Sequence, residues 1–105
     1  MEWLEPWWYA PESPEAAAAY ERELAAELGT GHPLYGVPLA ALGKHDGSDD
    51  VLFRLLDGSG RVAVVHLTWA RHPEPSPWPA FELFPSLEVF AERRMRPDHD
   101  EFVAE

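Results

Sequence analysis

The chain contains no cysteine, which excludes disulfides, thiolate nucleophiles and thiolate-bound metals. Basic residues are scarce. Eight Lys and Arg stand against nineteen Asp and Glu, a formal net charge of −11 at pH 7. Such a chain repels phosphate backbones, and no basic stripe offsets the repulsion, so nucleic acid is not an expected partner. No apolar run approaches the length of a membrane span, and Met1 does not open a basic stretch followed by an apolar one. The expectation is a cytoplasmic protein with no membrane partner. The GxxxxGK[ST] phosphate loop, the GxSxG elbow, HExxH and the calcium-loop pattern are all missing. His66 and His72 do not have a usual ligand spacing, and Asp98-His99-Asp100-Glu101 offers no more than an adventitious cation site. These absences argue against the common enzyme classes and predict neither a metal nor a cofactor.

What is present is centred on residues 50–69, DVLFRLLDGSGRVAVVHLTW. Two runs rich in Val, Leu and Phe flank Asp57-Gly58-Ser59-Gly60, the pattern of a β-hairpin. A two- or four-residue loop leaves both faces mixed. A three-residue loop, Gly58-Ser59-Gly60, gathers Val51, Phe53, Leu55, Ala63, Val65, Leu67 and Trp69 on one face free of polar side chains. Leu52, Arg54, Leu56, Val62, Val64, His66 and Thr68 take the other. Because a one-residue slip exchanges faces, burial of the clean face selects this register. It sets His66 opposite Leu52 and needs Gly60 in the left-handed region.

Residues 1–12 carry Trp3, Trp7 and Trp8 beside Pro6 and Pro11 and predict an extended or short irregular segment whose aromatics lie over the domain. Ser13 caps a first helix, with Pro14 in its first turn, Ala17, Tyr20, Leu24 and Leu28 as its buried stripe, and Gly29 as a left-handed stop. Glu21, Glu23 and Glu27 fall outside that stripe and read as solvated. Val37 to Leu42 predict a first strand, and residues 44–49 a turn. Residues 70–79, with four prolines, predict a surface loop. A short fourth strand follows at Pro79 to Phe84. Ser86 caps a second helix of about ten residues, Arg93, Arg94 and Arg96 complement its dipole, and Pro97 ends it. Residues 97–105 then form a frayed acidic tail.

The predicted fold is a single α+β domain over residues 1–105. Three or four antiparallel strands carry a long helix in the N-terminal half and a short C-terminal helix, both packed mainly on the clean face. The second face is then too apolar for open water and calls for a cover: the Trp-rich N-terminus, the proline loop or a second copy of the chain.

Two groups of residues could carry function. His66 titrates near neutrality in its free state, and Asp50 starts the adjacent strand, so the pair could form an acid–base dyad in a cleft. Trp7, Trp8, Trp69, Arg71, His72 and Trp78 are the aromatic and cationic residues suited to binding hot spots. DDVLFRLLDGSGRVAVVHLTW followed by PWPAFELFPSLEVFAERRM resembles a family of small bacterial proteins with DDVLF and VVHLTW strands. That resemblance implies a bacterial cytosolic origin and carries over no site residue. The leading expectation is a non-enzymatic protein-interaction module with a basic protein partner. The alternatives are a small hydrolase or transferase using His66 and Asp50, and a self-associating structural protein.

Overall fold

A computed structural model describes residues 1–104. Five antiparallel strands form one meander in chain order: β1 (Trp7–Tyr9), β2 (Leu39–His45), β3 (Asp50–Leu55), β4 (Val62–His66) and β5 (Phe81–Phe84). A 3-10 turn (Ala10–Glu12) and one α-helix, α1 (Pro14–Glu27), precede β2. After β5, α2 (Leu87–Phe90), a π turn (Ala91–Met95) and α3 (Arg96–Ala104) follow one another without a break. The α+β class and the antiparallel sheet agree with the sequence. The strand count is five rather than three or four, because Trp7–Tyr9 pairs with His45–Gly43 at the edge next to β2.

The hairpin keeps the expected faces but not the expected pairing. Val51 opposes Val65, Phe53 opposes Ala63, and His66 opposes Asp50 rather than Leu52. The shift is two residues, so the paired side chains of the two strands stay on their predicted faces. The reversal takes more chain than three residues. Asp57 Oδ1 accepts the Ser59 N–H and Ser59 Oγ accepts the Arg61 N–H, while Gly58 (φ +80°) and Gly60 (φ +78°) are both left-handed. Leu55 N–H then donates to the Arg61 carbonyl, closing the loop. Asp57 is held at a pKa of about 2 by the Ser59 hydrogen bonds and the Arg61 guanidinium.

The two helical segments pack on opposite faces, not together on the clean one. Ala17 and Leu24 of α1, with Leu28 just after it, meet Val51, Phe53, Leu55, Ala63 and Val65. Leu52, Val62, Val64 and Phe84 are covered instead by Phe90 and Met95, with Trp7 filling the remaining space. The second apolar face therefore finds its cover within the chain, and the main reason to expect a dimer through it is gone. Gly43 contributes to this cover. It sits at an irregularity of the β2–β3 pairing, and a Cβ there would lie 2.6 Å from the Trp3 ring.

Pro97 does not end the last helix, and residues 98–104 are helical rather than frayed; Glu105 lies outside the described residues. In the π turn the Arg96 N–H reaches back to the Ala91 carbonyl, five residues away. The widened turn just ahead of Pro97 makes room for its ring and for its missing N–H. Arg94 consequently lies mid-helix, and ion pairing, not the helix dipole, accounts for its place.

The cap assignments hold: Ser13 accepts the Ala16 N–H and Ser86 the Val89 N–H. Gly29 is not left-handed. The chain leaves α1 at Leu28 (φ −75°, ψ 114°), and the missing side chain at Gly29 admits the Glu74 carbonyl, which a Cβ would meet at 3.3 Å. Among the described residues, no helix is long and apolar enough to cross a membrane.

Candidate functional site

The segment between β4 and β5, residues 67–80, has no regular structure, yet it is held at several points by side chains from elsewhere. The Glu27 carboxylate, fully buried, accepts the Thr68 N–H at 3.0 Å and the Trp69 N–H at 2.9 Å. One turn earlier on α1, Glu23, also buried, accepts the Arg71 N–H at 3.0 Å. The Glu27 carbonyl accepts the Glu74 N–H, and Glu74 Oε1 accepts a hydrogen bond from the Thr68 hydroxyl at 3.3 Å. At the far end, His32 Nε2–H donates to the Pro79 carbonyl at 2.9 Å, while its Nδ1 accepts the Leu34 N–H. The buried His32 ring is thereby fixed as the Nε2–H tautomer.

These anchors impose an unusual backbone. Among the described residues, Trp69 (φ 58°) and Arg71 (φ 63°) are the two non-glycine residues with positive φ. For a side-chain-bearing residue the left-handed region costs about 1–2 kcal/mol, and such strain persists only where the surroundings over-determine it. Here the carboxylates of Glu23 and Glu27 supply the determination. Burial pushes the Glu27 carboxyl above its ordinary pKa, the adjacent Glu23 carboxyl pushes it further, and the N–H donors of Thr68 and Trp69 pull in the opposite direction.

The result is a rigidly tethered loop with aromatic and cationic side chains turned outward. Trp69 is 40 % exposed and Trp78 49 %; Arg71 and His72 are exposed. Trp69 does not point to the core. Its indole meets Tyr20 of α1 edge-on, with ring centroids 6.3 Å apart. Among the described residues no carboxylate pairs with the Arg71 guanidinium.

Two of the other predicted tryptophans lie elsewhere. Trp7 is a core residue, packed edge-on against Phe90 and His45, with its indole N–H donated to Asp98 at 2.8 Å. Trp8 is half-buried against the α1-side core.

His66 and Asp50 are in contact. His66 Nδ1 lies 2.8 Å from Asp50 Oδ1, across the β3–β4 pair. Asp50 is partly buried, which opposes its ionisation, but Arg94 at 2.6 Å and His66 outweigh burial and hold its pKa below the usual value. An ionised carboxylate only accepts, so Nδ1 carries the proton and Nε2 is the ring's second nitrogen. Arg94 continues the chain to Asp98 at 2.9 Å, which also holds the Trp7 indole. Burial disfavours the Arg94 charge, yet Asp50 and Asp98 raise its pKa on balance. His66 borders a shallow depression of about 170 Å³ lined by Val64, Ala80, Phe81, Glu82 and Arg94. That lining holds no hydroxyl nucleophile, and the volume is below that of ordinary small-molecule sites, roughly 300–1,000 Å³.

Sequence reasoning missed Glu23, Glu27, His32, Arg94 and Asp98. The glutamates left one trace. Like charges at i and i+4 on one helix repel, so Glu23 and Glu27 side by side call for compensating donors. Comparison with known proteins finds no matching family, no similar curated protein and no similar solved structure.

Proposed function

We propose that the protein is a non-enzymatic interaction module whose recognition element is the tethered loop, residues 67–80. The supporting observation is that two buried carboxylates hold Trp69 and Arg71 in a strained conformation that leaves both side chains at the surface. Tryptophan and arginine are the residue types most enriched in binding hot spots. A loop ordered in advance pays little further entropy on binding. The partner is a protein with an apolar pocket for Trp69 or Trp78, flanked by basic residues that complement a chain of net charge −11. A bacterial cytoplasmic setting belongs to the same proposal.

The test compares quantitative affinity capture by the wild type and by a Trp69→Ala/Arg71→Ala double variant of equal thermal stability. The reading expects a partner enriched by the wild type and lost from the variant. Identical capture by both contradicts it.

The 2.8 Å contact between His66 and Asp50 favours a second reading, a small hydrolase or transferase with His66 as general base. It requires turnover that disappears in His66→Gln, and turnover unaffected by that change removes it.

A further inference from the structure

The flank of α1 away from the tethered loop borders a groove of about 470 Å³, between the helix and the residues leading into β2. Leu24, Leu28, Val37, Leu39 and Phe53 supply apolar walls, and Glu21 is the one charged side chain on its lining. The volume falls within the range of small-molecule sites, roughly 300–1,000 Å³. Small residues leave it open: Ala25 on the helix rim is exposed, and Gly36, left-handed at φ +79°, has no heavy atom within 4 Å of where a Cβ would stand. The carboxylate is held in place. Glu21 Oε2 accepts the Ala41 N–H of β2 at 2.8 Å, which leaves Oε1 as a further acceptor at the groove wall.

We propose that this groove binds a small amphiphilic amine, with its hydrocarbon body against Leu28, Val37 and Leu39 and its ammonium group on Glu21. Charge complementarity selects the class. An apolar groove with one fixed carboxylate attracts a cation, repels a second carboxylate, and gives a neutral ligand nothing to neutralise the charge it partly desolvates. The net charge of −11 adds a long-range bias toward cations. The site stands apart from the tethered loop and from His66, so it is testable whatever those residues do.

The experiment titrates the full chain with n-octylammonium, 1-octanol and octanoate below their aggregation limits, by calorimetry and by amide chemical shifts. Octylammonium is expected to bind one site with shifts centred on Leu24, Val37 and Leu39. Octanol is expected to bind about tenfold more weakly, the worth of one charge-assisted contact, and octanoate not detectably. Glu21→Gln, whose amide oxygen still accepts the Ala41 N–H, should bring octylammonium down to the octanol level. Ala25→Phe, made at an exposed helix position, should fill the groove and abolish binding. Equal octylammonium affinity in wild type and Glu21→Gln overturns the proposal. So do shifts scattered over the acidic surface, and so does a concentration-dependent dimer that Ala25→Phe dissociates, which would make a second copy the occupant.

Discussion

The carboxylate of Glu27, in the last turn of α1, accepts the backbone N–H of Trp69 across forty-two residues of sequence, at 2.9 Å and fully buried. Two further amides, those of Thr68 and Arg71, end on the same pair of glutamates. Glu27→Ala removes both acceptor oxygens and leaves the Thr68 and Trp69 N–H groups without their partner. It is expected to destabilise by about 1–3 kcal/mol, the cost of leaving a buried donor unpaired, measured by chemical denaturation. Loss of the Tyr20–Trp69 contact should shift the tryptophan emission as well. An unchanged denaturation midpoint would mean that the loop does not depend on Glu27.

The tryptophans divide by role. Trp7→Ala empties a core position between His45 and Phe90 and takes one of the two donors from Asp98, so it should cost about 3–5 kcal/mol. Trp69→Ala, at a 40 % exposed position, should cost under about 1 kcal/mol. Thermal melts of the two variants check the contrast. Similar losses would place Trp69 in the core after all.

Gly43 tests the cover of the second sheet face. Gly43→Ala forces a methyl group against the Trp3 ring and should destabilise by about 1–3 kcal/mol. If the clash is the cause, Gly43→Ala costs less in a Trp3→Ala background than in the wild type. A strictly additive double-mutant cycle would show that the two residues do not meet.

Asp50 gives the acid limb of the stability profile a definite sign. Its folded pKa lies below the ordinary 3.8, so folding favours its ionised form. The stability it contributes is present above the unfolded value and lost as pH falls through the lower, folded one. Glu27 runs the other way. Its folded pKa is raised above 4.5, so its contribution is present below that value and lost as pH rises through the folded one. Asp50→Asn should therefore flatten the fall in stability below about pH 4 seen in urea titrations of the wild type. A fall of the same steepness in the variant would detach Asp50 from the acid transition.

The hairpin faces were legible because alternation of apolar residues has period two, and Gly58 and Gly60 confine the reversal. The pairing was legible only to within two residues, since Asp57 and Ser59 lengthen the turn without changing which face Phe53 or Val65 occupies. The strand Trp7–Tyr9 was hidden by its length and by Pro6 and Pro11 on either side. Glutamates on an alanine-rich helix normally face water, and the donors that bury Glu23 and Glu27 are backbone amides of a distant loop, which no local pattern announces. Pro97 is a reliable stop in a regular helix, and the π turn that accommodates it has no sequence signature of its own here. Of the candidate residues, His66 and Asp50 came together because strand order forces their neighbourhood. Arg94 joined them only through a helix that continued further than its composition suggested.

Amide hydrogen exchange at Thr68, Trp69 and Arg71, followed by NMR in the wild type and in Glu27→Ala, tests the tethered loop most directly. The account predicts slow exchange at all three in the wild type, and fast exchange at Thr68 and Trp69 in the variant while Val51, Phe53 and Val65 in the sheet stay protected. Fast exchange at Thr68 and Trp69 in the wild type would contradict it.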